Sequence, residues 1–447
     1  MRVAVAGAGA REHALALALA RSPSVSGVAV VPGNPGIALL AGGDPAGDGP
    51  PAAPITCVDA GPGALDADLW VIGPEAPLVA GLADRLRAGG ARVLGPGAGG
   101  ARLEGSKEWM KSVLTDAGVP TATWRSFGTD QLAEASAFLR SLPPPWVVKT
   151  DGLAAGKGVL VTEDIDAAEE DLRAKLSGAA FGDAGRRVVV EEGLRGVELS
   201  LMALCDGRRA VALAPARDHK RLGDADTGPN TGGMGAYSPV PDAGPQLVDQ
   251  VMASTVEATL GALRDRGVDY RGVLYAGLML TPDGPRVIEI NVRFGDPETQ
   301  VVLARWEGDV ASALDAAARG DLSAVDPPRF GAHAAVNVVL AAPGYPGAAR
   351  TGDPIDPGRL LRAAGLAGVS VLAAGVAGGG LEPAGGGGLE PAGVGGLQSA
   401  GGRVLGVTGV GPTLGAASRR AYAGVELVAW PGCHYRSDIA SGPAPGP

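Results

Sequence analysis

The sequence predicts an α/β protein in three regions: an N-terminal, doubly wound parallel α/β region, a central region mixing strands with helices, and a C-terminal, mostly-β region. Three observations predict it. Residues 1–103 alternate short apolar strands with helix signals, and each strand runs out on Gly or Pro. That is the pattern of a parallel sheet covered on both faces. Residues 104–326 carry longer strands, a glycine loop and a long polar segment, and from 327 onward the strand signals are short.

In the first region, strands are expected at 3–6, 28–31, 69–72 and 92–94. Such sheets bind ligands at the carboxyl ends of their strands. Those ends carry G-A-G-A-R-E-H (7–13), P-G-N-P-G (32–36) and G-P-E-A-P (73–77). In the second region, a helix at 104–116 leads to strands at 146–149 and 159–161 and a helix at 165–176. Strands follow at 188–192 and 197–204, then a long segment, 223–239, without hydrophobic pattern. Long structureless segments inside a compact domain are usually functional or disordered. A helix at 246–266 precedes strands at 273–280 and 287–294. The third region has strand-like pieces at 334–340, 369–373, 404–410 and 426–428. Residues 379–402 repeat G-G-L-E-P-A-G-G with a period of eight. This is too poor in apolar residues to fold alone, and it reads as an expanded hairpin loop. The tail 441–447 is expected to fray.

The 447 residues allow roughly two to four domains. A net charge of −10 argues against a nucleic-acid or anionic-membrane surface. Cys57, Cys205 and Cys433 are far apart, which fits a reducing compartment and no zinc site. The opening M-R-V-A-V-A-G reads as a strand rather than a signal peptide, and no apolar run reaches the ~20 residues of a membrane span. A cytoplasmic protein is expected.

The segment R-V-I-E-I-N-V-R-F-G-D-P-E-T-Q (286–300) carries the strongest chemistry. At a period of two, Ile288, Ile290, Val292 and Phe294 share one face, and Glu289, Asn291 and Arg293 share the other. Two oxygen ligands one pleat apart suit a hard cation such as Mg²⁺, which commonly completes its shell with phosphate and water. The neighbouring guanidinium suits a phosphoryl or carboxylate group. K-T-D-G-L-A-A-G-K-G-V (149–159) places two lysines around a glycine loop between strands. Backbone N–H groups there can close over phosphates. Alone, the loop fits a plain hairpin equally well; the strand downstream favours phosphate. It is not a Walker A loop, since Gly158 stands where Ser or Thr is needed. G-A-G-A-R-E-H-A fails the dinucleotide fingerprint, because Glu12 takes the third glycine position. A phosphate at this helix N-terminus, or a purely structural turn, both remain open. R-D-H-K-R (217–221) adjoins G-P-N-T-G-G-M-G-A-Y-S-P (228–239), which favours a substrate lid over a solvated charge run. His333 and His434 have no partners at metal-ligand spacing.

Taken in order, G-x-G-x-R-E-H-A, P-G-N-x-G, G-P-E-x-P-L, E-G-S-K, D-G-L-A-A-G-K-G-V, D-H-K-R, D-T-G-P-N-T-G-G-M-G-A-Y-S-P and R-F-G-D-P-E-T-Q resemble the phosphoribosylamine–glycine ligase (glycinamide ribonucleotide synthetase) family of ATP-grasp enzymes. The resemblance runs from residue 1 to about 440. It implies an N-terminal Rossmann-like substrate domain at 1–103, an ATP-grasp domain at 104–326 with an α+β lid at about 122–193 and a core, and a C-terminal domain at 327–447. It implies that ATP phosphorylates glycine to a glycyl phosphate, which the amine of 5-phosphoribosylamine attacks in purine biosynthesis. Catalysis would rest on positioning and electrostatics.

Residue by residue, the resemblance implies that Glu289 and Asn291 hold Mg²⁺ or Mn²⁺, and that Arg293, Lys149 and Asp218 are catalytic. Lys107 and Lys149 would contact ATP phosphates beneath Gly152, Gly156, Lys157 and Gly158. Glu191, Glu192 and Leu194 resemble the hinge beside adenine, and Glu198 would bind the ribose. Gly9, Arg11, Glu12, His13, Asn34 and Glu75 would meet the sugar phosphate. Asp218, His219 and Lys220, with Asn230, Thr231, Gly232 and Gly233, would line the acceptor and glycine site. Gly193 departs from the bulky residue common at the hinge, so looser packing is expected there. The glycine repeat departs from a short hairpin, and no fused downstream purine-enzyme domain is expected. The implied partners are small molecules, with neither nucleic acid nor membrane, for a monomer or weak dimer. Another ATP-grasp carboxylate–amine ligase would lack D-H-K-R and G-P-N-T-G-G-M-G. A nicotinamide oxidoreductase is opposed by Glu12, and a non-catalytic nucleotide regulator by the retained Glu289, Asn291 and Arg293.

Overall fold

The computed structural model describes residues 1–41, 53–61, 63–153, 158–178, 186–378 and 396–441. Gly156, Lys157, the first seventeen residues of the repeat segment (379–395) and the tail 442–447 lie outside these.

The strand Arg2–Gly7 lies at the centre of a wholly parallel sheet. Gly27–Pro32 and then Ile55–Cys57 flank it on one side, Leu69–Ile72 and Arg92–Leu94 on the other. The three-residue strand Ile55–Cys57 escaped the sequence reading because it is too short to show a period. The chain reverses its winding between Arg2–Gly7 and Leu69–Ile72, which opens a crevice at their carboxyl ends. The helix Ala10–Ala20 starts in that crevice. Its eleven residues are all buried, against this sheet, the helix Glu298–Leu303 and the strand Val369–Ala373. A helix that is apolar all round belongs in a core, which is why its sequence is Ala and Leu after His13.

The central region builds two antiparallel sheets. One runs Trp124–Gly128, Arg187–Glu192, Trp146–Thr150, Val159–Thr162. It has its own small core of Phe127, Leu139, Val148, Leu172 and Val190 under the helices Leu132–Ser141 and Ile165–Leu176. The other runs Ala210–Ala212, Val197–Asp206, Arg271–Thr281, Gly284–Asn291.

Four local expectations need correction. The helix expected at 104–116 is two helices, Ala98–Gly105 and Lys107–Asp116, broken where the Ser106 hydroxyl caps the Trp109 amide at 3.1 Å. The helix expected at 246–266 carries a six-residue π-helical stretch, Met252–Glu257. Residues 426–428 are not a strand but the last turn of the helix Leu414–Val428, where Ala417, Ala421, Val425 and Val428 recur at helical spacing on the buried face. The strict alternation of 287–294 fails as well. Gly277 pairs with Glu289 but Leu278 with Val287, so Ile288 is the extra residue of a β-bulge, and the strand ends at Asn291. Val287 takes the core position, Ile288 is only half-buried, and Ile290, Val292 and Phe294 are core as expected.

The segment 223–239 is ordered. Arg221–Gly223 and Thr227–Asn230 form a small hairpin, and Gly235–Ser238 joins a five-stranded antiparallel sheet. That sheet runs Arg217–Asp218, Gly235–Ser238, Ala334–Ala341, Arg403–Gly411, Val369–Ala373. The polar segment thus gains its order from strands more than 90 residues away, which no local pattern encodes. The end of the repeat is also paired: Leu397–Ser399 lies between Val376–Gly378 and Pro354–Ile355. No helix among the described residues is long and apolar enough to cross a membrane.

Candidate active site

The two central sheets face each other across a charged cleft, and Lys149 spans it. Its ammonium donates to the Ile288 carbonyl at 3.1 Å and pairs with Glu191 Oε1 at 3.0 Å. The bulge is what makes this carbonyl available, because an extra residue leaves its backbone unpaired in the ladder. Glu191 also pairs with the fully buried Lys111 at 2.7 Å. Burial lowers the Lys111 ammonium to about 8 even though Glu191 opposes the shift. Burial would raise the Glu191 carboxyl, but Lys111 and Lys149 together hold it below its usual range. Lys107 donates to the Gly152 carbonyl at 2.8 Å, which places it under the start of the glycine loop.

The residues past the bulge form one chain of contacts. Glu289 Oε1 lies 3.5 Å from the Lys220 ammonium and 3.4 Å from Asn291 Nδ2. Lys220 also pairs with Glu198 Oε2 at 3.0 Å. The Asn291 side-chain oxygen accepts from Arg293 at 3.1 Å. Arg293 reaches on to Glu104 at 2.7 Å and Glu75 at 3.3 Å. Lys220 is the main cause of the fall of the Glu289 carboxyl to about 2; burial opposes it, and Lys149 and Arg293 add to it. Withdrawal from water disfavours the Lys220 charge, yet Glu198, Glu289 and Asp218 drive its pKa well above the ordinary range. For Asp218 the same withdrawal, helped by Glu298, Glu198 and Glu289, outweighs Lys220 and raises the carboxyl well above the usual range. Among the described residues no group of three or more His, Cys, Asp or Glu could hold a metal ion. Glu289 and Asn291 are two oxygen-bearing side chains, which fits a hard cation that draws its remaining ligands from phosphate and water.

The acceptor-side motifs flank this cleft. Asp218 sits in register with Ala236, the His219 amide donates to the Gly235 carbonyl, and the Lys220 carbonyl accepts from both the amide and the hydroxyl of Thr231 at 2.8 Å. Asn230 pairs with Arg221 in the small hairpin. Arg403, from the C-terminal sheet, donates to the carbonyls of Gly232 and Gly233 and pairs with Asp296 at 3.0 Å. Tyr345 accepts from the Gly232 amide at 2.8 Å.

The N-terminal motif is arranged differently. The Glu12 carboxylate accepts from the Gly9 amide at 2.7 Å and from Arg11 Nε at 2.7 Å. A Cβ at Gly7, Gly9 or Gly73 would run into the Glu12 side chain, so these three glycines make room for a carboxylate. The carboxylate occupies the crevice where a dinucleotide pyrophosphate would lie. Arg11 donates on to the Phe294 carbonyl at 3.2 Å, which ties this turn to the end of the Glu289 strand. His13 and Asn34 are both tied to the C-terminal strand Val369–Ala373 and its end. His13 Nδ1 accepts from the Ala373 amide at 3.0 Å, and the Asn34 amide group donates to Ala8 and Ala374 while its oxygen caps the helix Pro35–Leu40. At the hinge, Glu192 accepts from the Thr123 amide at 2.9 Å, and Leu194 is half-buried. The Gly193 amide donates to Pro145 at 2.7 Å, and a Cβ there would strike the Pro145 ring and carbonyl. Glycine at this position therefore gives a tight contact rather than looser packing.

The sequence reading missed Glu104, Lys111, Glu298 and Arg403. Lys111 follows Lys107 by four, on the same helix face, which was a usable signal. Glu298 is buried and accepts from Tyr275 at 2.6 Å and Ser200 at 3.2 Å. Glu104 and Glu298 lie inside motifs already singled out; Arg403 reaches the site only through tertiary packing.

Two antiparallel sheets that close on one charged cleft, beside a parallel-sheet domain, are the arrangement of ATP-grasp proteins. Three family models match in sequence order: the phosphoribosylglycinamide synthetase N domain at residues 1–104, its ATP-grasp (A) domain at 105–299 and its C domain at 335–442. The chain belongs to the phosphoribosylglycinamide synthetase family. A phosphoribosylamine–glycine ligase of Streptomyces coelicolor is 47% identical over 441 residues, 99% of each chain. That of Escherichia coli K12 is 43% identical over 446 residues, 98% of each. The crystal structure of phosphoribosylamine–glycine ligase from Thermotoga maritima matches with a TM-score of 0.78 at 33% identity, over 98% of this chain and 100% of that one. A biotin carboxylase from Campylobacter jejuni, at 12% identity and a TM-score of 0.66 over 97% of this chain and 92% of that one, shares the fold.

Proposed function

We propose that this chain joins glycine to 5-phosphoribosylamine at the expense of ATP, through a glycyl phosphate, giving glycinamide ribonucleotide, ADP and phosphate for purine biosynthesis. The observation that carries this reading is the continuous line Glu198–Lys220–Glu289–Asn291–Arg293–Glu75, which runs from the nucleotide sheet to the N-terminal region. A carboxylate becomes an electrophile only once an oxygen is made a leaving group, so the site needs a phosphoryl donor beside a carboxylate and an amine. Two cationic groups, Lys220 and Arg293, alternate with carboxylates along that line, and no Ser, Thr or Cys stands on it.

In this reading Glu289 and Asn291 hold Mg²⁺ or Mn²⁺, which when bound draws charge from the phosphates. Lys107 and Lys149 neutralise phosphate oxygens under the loop that starts at Gly152 and returns at Gly158. Glu198 takes the ribose, and Glu191, Glu192 and Leu194 border the base. Arg293, held from two sides by Glu104 and Glu75, presents a planar fork to the moving phosphoryl group. Asp218, His219 and Lys220, with residues 230–233, position glycine and the amine. For the sugar phosphate the Gly9–His13 turn offers backbone N–H groups and Arg11, while its carboxylate serves the turn itself. We take the units to be 1–103, 104–326 with a lid at about 122–193, and 327–447. We place the protein in the cytoplasm as a monomer or weak dimer, with small molecules as its only ligands.

The test is ADP release. It should need glycine, 5-phosphoribosylamine and Mg-ATP together. Equal rates with bicarbonate, or with paired D-alanines, would instead favour another ATP-grasp carboxylate–amine ligase.

A further inference from the structure

A second cavity, of about 570 Å³, opens beside the turn that joins the strands Val197–Asp206 and Ala210–Ala212. Its wall carries Arg208, Arg209 and Arg264 against a single carboxylate, Glu257. Its floor is apolar, with Leu260 and Leu322 buried beneath. In a chain of net charge −10, three guanidiniums around one cavity reverse the prevailing sign. We propose that this cavity binds a phosphate ester of mononucleotide size, its phosphate on the arginines and its flat or apolar body on the floor.

Four observations carry the proposal, and none depends on the ligase reading. The volume falls within the roughly 300–1,000 Å³ of ordinary small-molecule sites. The backbone of the arginine-bearing turn is fixed before any ligand arrives. The buried Asp206 accepts from the amides of Arg208 and Arg209 at 2.8 and 2.7 Å through one oxygen, and from the Leu322 amide at 2.9 Å through the other. One carboxylate thus ties the arginine-bearing turn to the floor, and a preformed site loses less entropy on binding. Arg264 Nη1 donates to the Arg208 carbonyl at 3.0 Å, which anchors the third guanidinium over the same turn. The helix that supplies Glu257, Leu260 and Arg264 carries its π-helical stretch, Met252–Glu257, at the cavity's edge. Such stretches are rare and concentrate at functional sites. Guanidinium forks match phosphate oxygens two at a time, and the apolar floor adds a preference for an ester over a bare ion.

The cavity is separate from the ATP cleft. Glu198 stands near the start of the strand Val197–Asp206 and the arginines follow its end, so the strand alone sets them roughly 26 Å apart at about 3.3 Å per residue.

Calorimetric titration of the full-length protein, with the ATP cleft saturated by Mg-ADP, tests this with three probes: AMP, IMP and inorganic phosphate. We expect one further site for a mononucleotide, weaker binding of phosphate, and a loss of about tenfold or more in affinity in the Arg208→Ala/Arg209→Ala/Arg264→Ala variant. The KM for ATP should not change. Should that variant fold poorly, Arg209→Glu alone must weaken the same site. No binding by any probe, binding that both variants retain, or phosphate as tight as the nucleotides would overturn the proposal, the last because it would mark only a charged surface.

Discussion

The strand that carries Glu289 and the turn that carries Glu12 each set a carboxylate beside a guanidinium in a short motif, and they use it in opposite ways. The Glu12 side chain is 3% exposed, and both its oxygens are engaged, one by a backbone amide and one by its neighbour Arg11. The Glu289 side chain is 45% exposed, and its partners are the tip of a lysine at 3.5 Å and a side-chain amide at 3.4 Å. Backbone amides cannot leave without unfolding the turn, whereas lysine and asparagine tips can swing away by rotamer changes. A motif carboxylate held by flexible side chains is free to take a ligand; one held by backbone is part of the frame.

Four experiments can break or sharpen this contrast. Glu289→Gln should lower kcat on the order of 10³-fold, the scale of losing one preorganised electrostatic group, with the fold retained. Wild-type ADP release at ordinary Mg²⁺ would remove the ligand role. Glu12→Ala should act on stability instead. It strands Arg11, which is 9% exposed, and breaking such a buried pair costs about 3 kcal/mol in urea unfolding. The main loss should be in stability; a raised KM for 5-phosphoribosylamine with intact stability would make Glu12 a ligand residue like Glu289.

The third experiment uses pH. Burial pulls His13 from 6.5 down to about 3. Its folded pKa is thus below its unfolded one, so its contribution is present in full above pH 6.5 and is lost as pH falls toward 3. Over that window wild type should lose about 1.4 kcal/mol per pH unit from this group. In His13→Gln the plot of unfolding free energy against pH should be flatter by one proton, and an unchanged slope would show that His13 charges in place. The smallest effect belongs to the repeat. Deleting Gly379 to Gly386 should leave melting temperature and turnover nearly unchanged, because loop-closure entropy changes by only about 0.6 kcal/mol per doubling of length. The flanking strands Val376–Gly378 and Leu397–Ser399 stay in register. A large loss of activity, or a new oligomer size in light scattering, would give the repeat a function.

The sequence made the parallel sheet legible because its strands are continuous apolar runs that end on Gly or Pro, and the helix Ile165–Leu176 because Asp164 caps it. It made Glu289, Asn291 and Arg293 legible because they alternate within five residues at the end of one strand, and Lys149 because it stands at the edge of a glycine loop. Ile288 was misplaced because a bulge is a property of a strand pair, not of one strand. The C-terminal helix end was misread as strand because three residues, Glu426, Leu427 and Val428, are too few to show a period.

By itself the sequence determined which side chains are chemically capable: the acidic and amide oxygens of 289 and 291, the lysines and the glycine loop. Those properties are local and travel with the residue. Tertiary structure decided which of them are free. Glu12 is engaged because its crevice is glycine-lined from both Gly9 and the distant Gly73. Gly232 and Gly233 are held because Arg403, some 170 residues on, reaches their carbonyls. Whether a polar group is already satisfied depends on what the fold brings within about 3 Å of it, and that distance is not written in any one segment of the chain.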